Sequence, residues 1–112
     1  MWLFTETGFV SAVKHHSDPD TMVVRARDQG SLEPLAHSSA VDIQASPNND
    51  YPYRVHVSLS AFSSWLHDCV QSIDYTNFKS RVHEIRGDHF ADVLMGVWSV
   101  MHEVEDDDAR TI

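Results

Sequence analysis

At Ser60 the spacing of apolar residues changes, and that change constrains the fold more than any other feature of the chain. Before it, Met22, Val24 and Ala26 and then Tyr53, Val55, Val57 and Leu59 recur every second position. After it, Phe62, Trp65, Leu66, Cys69, Val70 and Ile73 recur at steps of three and four. A period of two suits a strand with one buried face; steps of three and four suit a helix. Strands followed by helices predict an α+β fold of two packed layers. We expect a small antiparallel sheet of three to four strands, with two C-terminal helices packed on one face and a short helix between strands two and three. The 112 residues fit one compact domain, assigned to 1–104, with 105–112 as an acidic extension expected to be flexible.

"WLFTET", residues 2–7, begins extended, and "FVSAVKHH" resumes after Gly8, as one bent strand or a closely coupled pair. Phe9, Ser11, Val13 and His15 share one face of it. "SDPD", residues 17–20, is turn chemistry, and "TMVVRARD" follows as the other arm of a hairpin. Ser31 is a candidate cap for a short helix that Pro34 tolerates only near its start. "VDIQASPNND" reads as an exposed loop, and "YPYRVHVSL" as the next strand.

Ser60 is the expected cap of the first long helix. Asp74 or Thr76 is expected to cap the second, which carries Phe78, Val82 and Ile85. Gly87 after Arg86 stops that helix, and Asp88 caps the last, with Phe90, Val93, Leu94, Val97, Trp98 and Met101 as its stripe.

Net charge is −9 with histidines neutral. Residues 103–112 carry five acids and one arginine, so the other 102 residues still hold twelve acids against seven bases. An acidic body repels phosphate backbones, so direct nucleic-acid binding is not expected; a basic protein surface would be attracted. Eight histidines make net charge and solubility strongly pH-dependent below neutrality. Cys69 is the sole cysteine, so no internal disulfide forms, and a structural thiol is expected. The opening "MWLFTETGF" has no basic leader, and no apolar run reaches membrane-spanning length. A cytoplasmic protein without a membrane segment is the expectation.

Several short motifs belong together. The start Met1-Trp2, the pair Gly8-Phe9, the strand Val24-Arg25-Ala26-Arg27, "DYPYR" and Tyr75-x-Asn77-Phe78-Lys79 resemble a set of small proteins from actinobacteria and their phages. The resemblance covers most of the chain but not its middle loop or acidic tail. It implies a bacterial or phage cytoplasmic protein, in the host cytoplasm if phage-encoded, and it carries over no catalytic residue.

Four constellations invite a chemical reading. His83, Glu84, Asp88 and His89 are metal ligands by type. Yet His83 and Glu84 point about 100° apart on a helix, and a helix stop separates His83 from His89, so no metal or other cofactor is expected. No GxSxG, GxGxxG or Walker loop occurs, which leaves hydrolase and nucleotide-phosphate chemistry without a motif. Arg25, Arg27 and Arg54 lie on strand faces opposite the apolar positions. With Tyr51 and His56 nearby they form a candidate carboxylate or phosphate face, unless acids such as Glu6 or Asp28 pair with them across strands. Tyr75, Asn77 and Lys79 are more specific than a helix start needs and form a candidate partner contact. Trp2 at the first strand suits a sheet edge or a homodimer interface.

The expected function is therefore non-enzymatic: an acidic interaction module, phage- or mobile-element-associated, that binds a basic host protein as inhibitor or nucleic-acid competitor. The alternative is a small anion- or metal-binding domain or enzyme using the arginine face or the His83 cluster.

Overall fold

The computed structural model describes the backbone of residues 1–111 and the side chains of residues 1–105. The fold is α+β. Strands β1 (Trp2–Thr5), β2 (Gly8–Lys14) and β3 (Thr21–Ala26) precede a 3₁₀ turn (Gln29–Ser31) and helix α1 (Glu33–Ser39). Strands β4 (Gln44–Ala45) and β5 (Tyr53–Ser58) follow, then helices α2 (Leu59–Gln71), α3 (Phe78–Arg86) and α4 (Asp88–Thr111). The chain divides into two compact units, residues 1–74 and residues 75 onward. No helix among the described residues is long and apolar enough to cross a membrane.

The first unit holds one antiparallel sheet of order β1-β2-β3-β5-β4. It has five strands where the sequence predicted three or four, for two physical reasons. The N-terminal stretch is a true hairpin whose loop is Glu6-Thr7, with Thr5 opposite Gly8. Neither loop residue has positive φ, so the turn lacks the Asn-Gly signature that marks tight hairpins. Thr5 supports it instead: its Oγ1 accepts from the Thr7 amide at 3.3 Å. The second addition is β4, two residues inside the stretch read as an exposed loop. Main-chain pairing to Arg54 and Tyr53 holds it there despite its polar sequence.

One sheet face is the core. Ala12, Val24 and Val55 line up across three strands and are essentially buried. Val10, Ala26 and Val57 extend this layer, and Leu32, Leu35, Phe62 and Trp65 cover it from the helical side. Removing a fully buried aliphatic such as Leu35 to alanine costs about 2–5 kcal/mol. The short helix lies where expected, between β3 and β5, with Pro34 in its first turn. Ser31 does not cap it. Its hydroxyl donates to Asp28 Oδ1 and accepts from the Phe9 amide at 3.2 Å, so this buried serine ties the 3₁₀ turn to β2. Helix α1 ends on Ala40 in the left-handed region, φ 53°, a conformation that favours glycine.

The turn at 17–20 is as its chemistry predicts. Asp18 accepts from Thr21 Oγ1 at 2.8 Å and from the Asp20 amide at 3.0 Å. These hydrogen bonds, the Thr21 one foremost, hold the Asp18 carboxyl below the usual carboxylate range. Helix α2 is capped by Ser58 rather than Ser60: Ser58 Oγ accepts from the Ala61 amide at 3.1 Å.

The second unit is a helix pair joined through Gly87. Asn77, and not Asp74 or Thr76, caps α3; its Oδ1 accepts from the Ser80 amide at 2.9 Å. Gly87 has φ 86° and its amide donates to His83 O at 3.0 Å. A Cβ there would meet nothing within 4 Å, so backbone conformation rather than space selects glycine. Asp88 begins α4 as a helical residue rather than as its cap. Val82 and Ala91 are fully buried. The side chains of 106–112, most of the predicted acidic tail, lie outside the described residues.

Candidate anion site on the outer sheet face

The face opposite the core is built by the same alternation. Because Val24 points inward, Arg25 points outward, and the register extends this across the sheet. Trp2, Ser11, Arg25, Arg54 and Gln44 form one transverse row on five successive strands. Directly opposed side chains on antiparallel strands have Cβ atoms about 5 Å apart, and like charges there repel. Arg25 and Arg54 are such a pair.

Their surroundings do not neutralise them. Arg25 Nη2 donates to Ser11 Oγ at 3.0 Å, and its guanidinium lies 4.7 Å from the centre of the Tyr51 ring. Among the described residues, neither Arg25 nor Arg54 has a carboxylate within ion-pair distance. Nor are their donors all satisfied. Arg25 Nε and Arg54 Nε are buried side-chain nitrogens without a hydrogen-bond partner, and no other described buried side-chain nitrogen or oxygen shares that condition. Such groups are uncommon, because a buried donor left unmade costs about 1–3 kcal/mol. Both residues are otherwise only partly buried.

Arg27 stands apart. Just beyond β3, its Nη1 donates to Asp50 O at 2.9 Å and lies 3.5 Å from Asp50 Oδ1. Its guanidinium also sits 4.7 Å from the Tyr51 ring, so Tyr51 contacts both Arg25 and Arg27. Tyr51 is 6% exposed. The ring thus holds the inner arginine in place while Asp50 engages the outer one. Pairing with an acid holds for Arg27 alone among the three arginines.

The row ends in aromatics. Phe9 packs edge-on to Trp2 at 5.7 Å and stacks on Phe4 at 4.6 Å. Trp2 remains 69% exposed. With strands about 4.8 Å apart, its backbone lies about 10 Å from that of Arg25, two strands away. At the opposite end of these strands, His15 lies 5.7 Å from His56 and 4.4 Å from His16, ring to ring. His15 Nδ1 accepts from the Ser17 and Asp18 amides, both at 3.2 Å, which gives that ring a structural task in the turn.

The remaining candidates are in the second unit. Asn77 caps α3, and the Tyr75 ring lies 6.0 Å from that of Phe78. Lys79 is exposed on the first turn of α3. His83 Nδ1 and Asp88 Oδ1 are 2.8 Å apart, so two of the four metal-type residues pair with each other across the glycine junction. Among the described residues no three His, Cys, Asp or Glu side chains are grouped to hold a metal ion. Cys69, half-buried on α2, has its thiol pushed up by burial, with the Glu6 and Asp68 carboxylates adding to the effect. Such a thiol is a poor nucleophile at neutral pH.

Sequence reasoning identified the three arginines but not their inequality. The alternation showed that Arg25 and Arg54 face away from the core, whereas their direct opposition depends on register. Ser11 carries a faint signal, as a small polar residue amid apolar neighbours on β2. No family model, no curated protein and no solved structure matches this chain.

Proposed function

We propose that this protein is a non-enzymatic binding module that takes a carboxylate- or phosphate-bearing partner between Arg25 and Arg54 on the outer sheet face. The observation that carries this reading is the pair of unpartnered Nε donors on two directly opposed arginines without an acid. An anion between them offsets the repulsion. After rotation of the terminal torsions, Nε and one Nη of each guanidinium form the two-pronged edge that matches carboxylate and phosphate oxygens. Ser11 and Tyr51 hold the unliganded Arg25 guanidinium, and turning it towards an anion exchanges those contacts for the anion's. The exposed Trp2 gives the partner an apolar contact beside the charge.

The net charge of −9 supports a different reading, an acidic surface that engages a basic host protein. Net charge is a bulk property shared by many soluble chains. The arginine pair is local and directional, so we rank it first.

Thermal unfolding with inorganic phosphate, sulfate and citrate, against sodium chloride of equal ionic strength, tests the reading. A ligand that binds only the folded state raises stability by RT ln(1 + [L]/Kd). The expected result is a rise in Tm with at least one of these anions, lost in Arg25→Gln and Arg54→Gln and kept in Arg27→Gln. A wild-type protein that responds to no anion beyond chloride contradicts it.

A further inference from the structure

None of the five strands contains an acid, in a chain that carries 17. The outer sheet face therefore gathers cation-forming side chains with no carboxylate between them, and it does not end at the arginine pair. His56 follows Arg54 by two positions on β5, so it stands on the same face, about 7 Å further along. Arg25 on β3 is its diagonal neighbour, at about 7–8 Å, a separation that long side chains bridge. Directly opposite His56 stands Val23, which offers no polar side-chain atom.

The His56 ring is open to a proton. Among the described residues it makes no hydrogen bond, and its nitrogens, unlike the two arginine Nε atoms, are reached by solvent. The charged and titratable groups around it are Arg25, Arg54, His15 and, in the turn after β2, His16, Asp18 and Asp20. Among the described residues no carboxylate lies within ion-pair distance of the three histidines. Asp18 is engaged by Thr21 and the Asp20 amide. His15 Nδ1 accepts from the Ser17 and Asp18 amides, so a proton there would displace both. His16 stacks on His15 and stands one ring further from the arginines. Only His56 combines partner-free nitrogens with a place beside Arg54.

We infer that His56 is the third anion-binding group of this site, and that the site takes up a proton together with its anion. This rests on the Arg25–Arg54 reading and adds to it a ligand class, a dianion such as sulfate or a phosphate monoester, and a dependence on pH. Histidine is the side chain whose charge changes between about pH 5 and 8. Two unit charges about 7 Å apart interact by about RT in bulk water, so a proton on His56 tightens a monoanion about three-fold and a dianion about seven-fold. By linkage, the anion raises the affinity of His56 for its proton by the same factor.

Isothermal titration calorimetry of the full chain with sulfate tests this, because sulfate keeps its charge between pH 6 and pH 8. Sodium chloride holds the ionic strength constant. Wild type is expected to bind about five-fold tighter at pH 6 than at pH 8, with proton uptake counted from the heats in buffers of different ionisation enthalpy. His56→Gln is expected to keep the affinity seen at pH 8 and lose the gain at pH 6, whereas His16→Gln keeps both. Circular dichroism checks the fold of each variant, and the proton count in wild type needs none. Equal affinity at both pH values without proton uptake overturns the inference and leaves the arginine site standing. So does a gain that survives His56→Gln, which traces to the charge of the whole chain. Sulfate bound at neither pH overturns it too, and the thermal screen with phosphate and citrate judges the arginine site on its own.

Discussion

Arg25 and Arg54 stand directly opposite each other on β3 and β5, and each keeps a buried Nε–H without an acceptor. Stability and binding make opposite demands on such a pair. Arg54→Gln removes one charge of a like-charged cross-strand pair and is expected to stabilise the unliganded protein by about 0.5–1 kcal/mol at low salt. The same variant loses the anion-dependent rise in Tm. Urea unfolding with and without phosphate measures both, and a destabilised Arg54→Gln contradicts the electrostatic account.

Ala40 closes α1 at φ 53°, where a Cβ crowds the following carbonyl. Ala40→Gly relieves that strain and is expected to raise stability by about 0.5–1 kcal/mol, net of the greater freedom glycine brings to the unfolded chain. Denaturant titration decides this; a loss of stability shows that chain entropy outweighs the strain.

The helix caps separate neighbouring polar residues. Ser58→Ala and Asn77→Ala each remove an observed side-chain acceptor and are expected to cost about 1 kcal/mol. Asp74→Ala and Thr76→Ala remove no cap and are expected to lie within about 0.5 kcal/mol of wild type. Equal losses at Asn77 and Thr76 sink the cap assignment.

The Cys69 thiol, raised by burial and then by Glu6 and Asp68, holds its proton more tightly in the folded protein than in the unfolded chain. The sign follows: its contribution favours folding below the ordinary thiol value and is lost as pH climbs through the raised one. Reaction with a disulfide reagent at pH 8 is expected to be slower than that of a model thiol peptide, and faster in Glu6→Gln. A native rate equal to the peptide's contradicts the shift.

Layer order, the helix between β3 and β5 and the outward direction of Arg25 and Arg54 are legible in the sequence because they rest on periodicity. What escaped rests on backbone events that composition does not mark. Glu6-Thr7 turns a hairpin without glycine or asparagine at its centre. Gln44–Ala45 becomes a strand because β5 offers free main-chain groups, and no side-chain pattern announces that. Ser58 displaces Ser60 as cap because the extended strand conformation persists to Ser58, which is where a cap must stand. At the site, Arg27 looks like Arg25 in sequence; only the Asp50 loop folding back makes one paired and the other not.

Arginine side-chain NMR observes Arg25 Nε and Arg54 Nε directly. The Nε–Hε resonances of Arg25 and Arg54, assigned through the Arg25→Gln and Arg54→Gln variants, are followed during titration with inorganic phosphate and with the best anion from the thermal screen. Both resonances are expected to shift together along one saturable curve while that of Arg27 moves little. Saturable binding that leaves both Nε–Hε signals unmoved, or no saturation below the range of nonspecific screening, contradicts it.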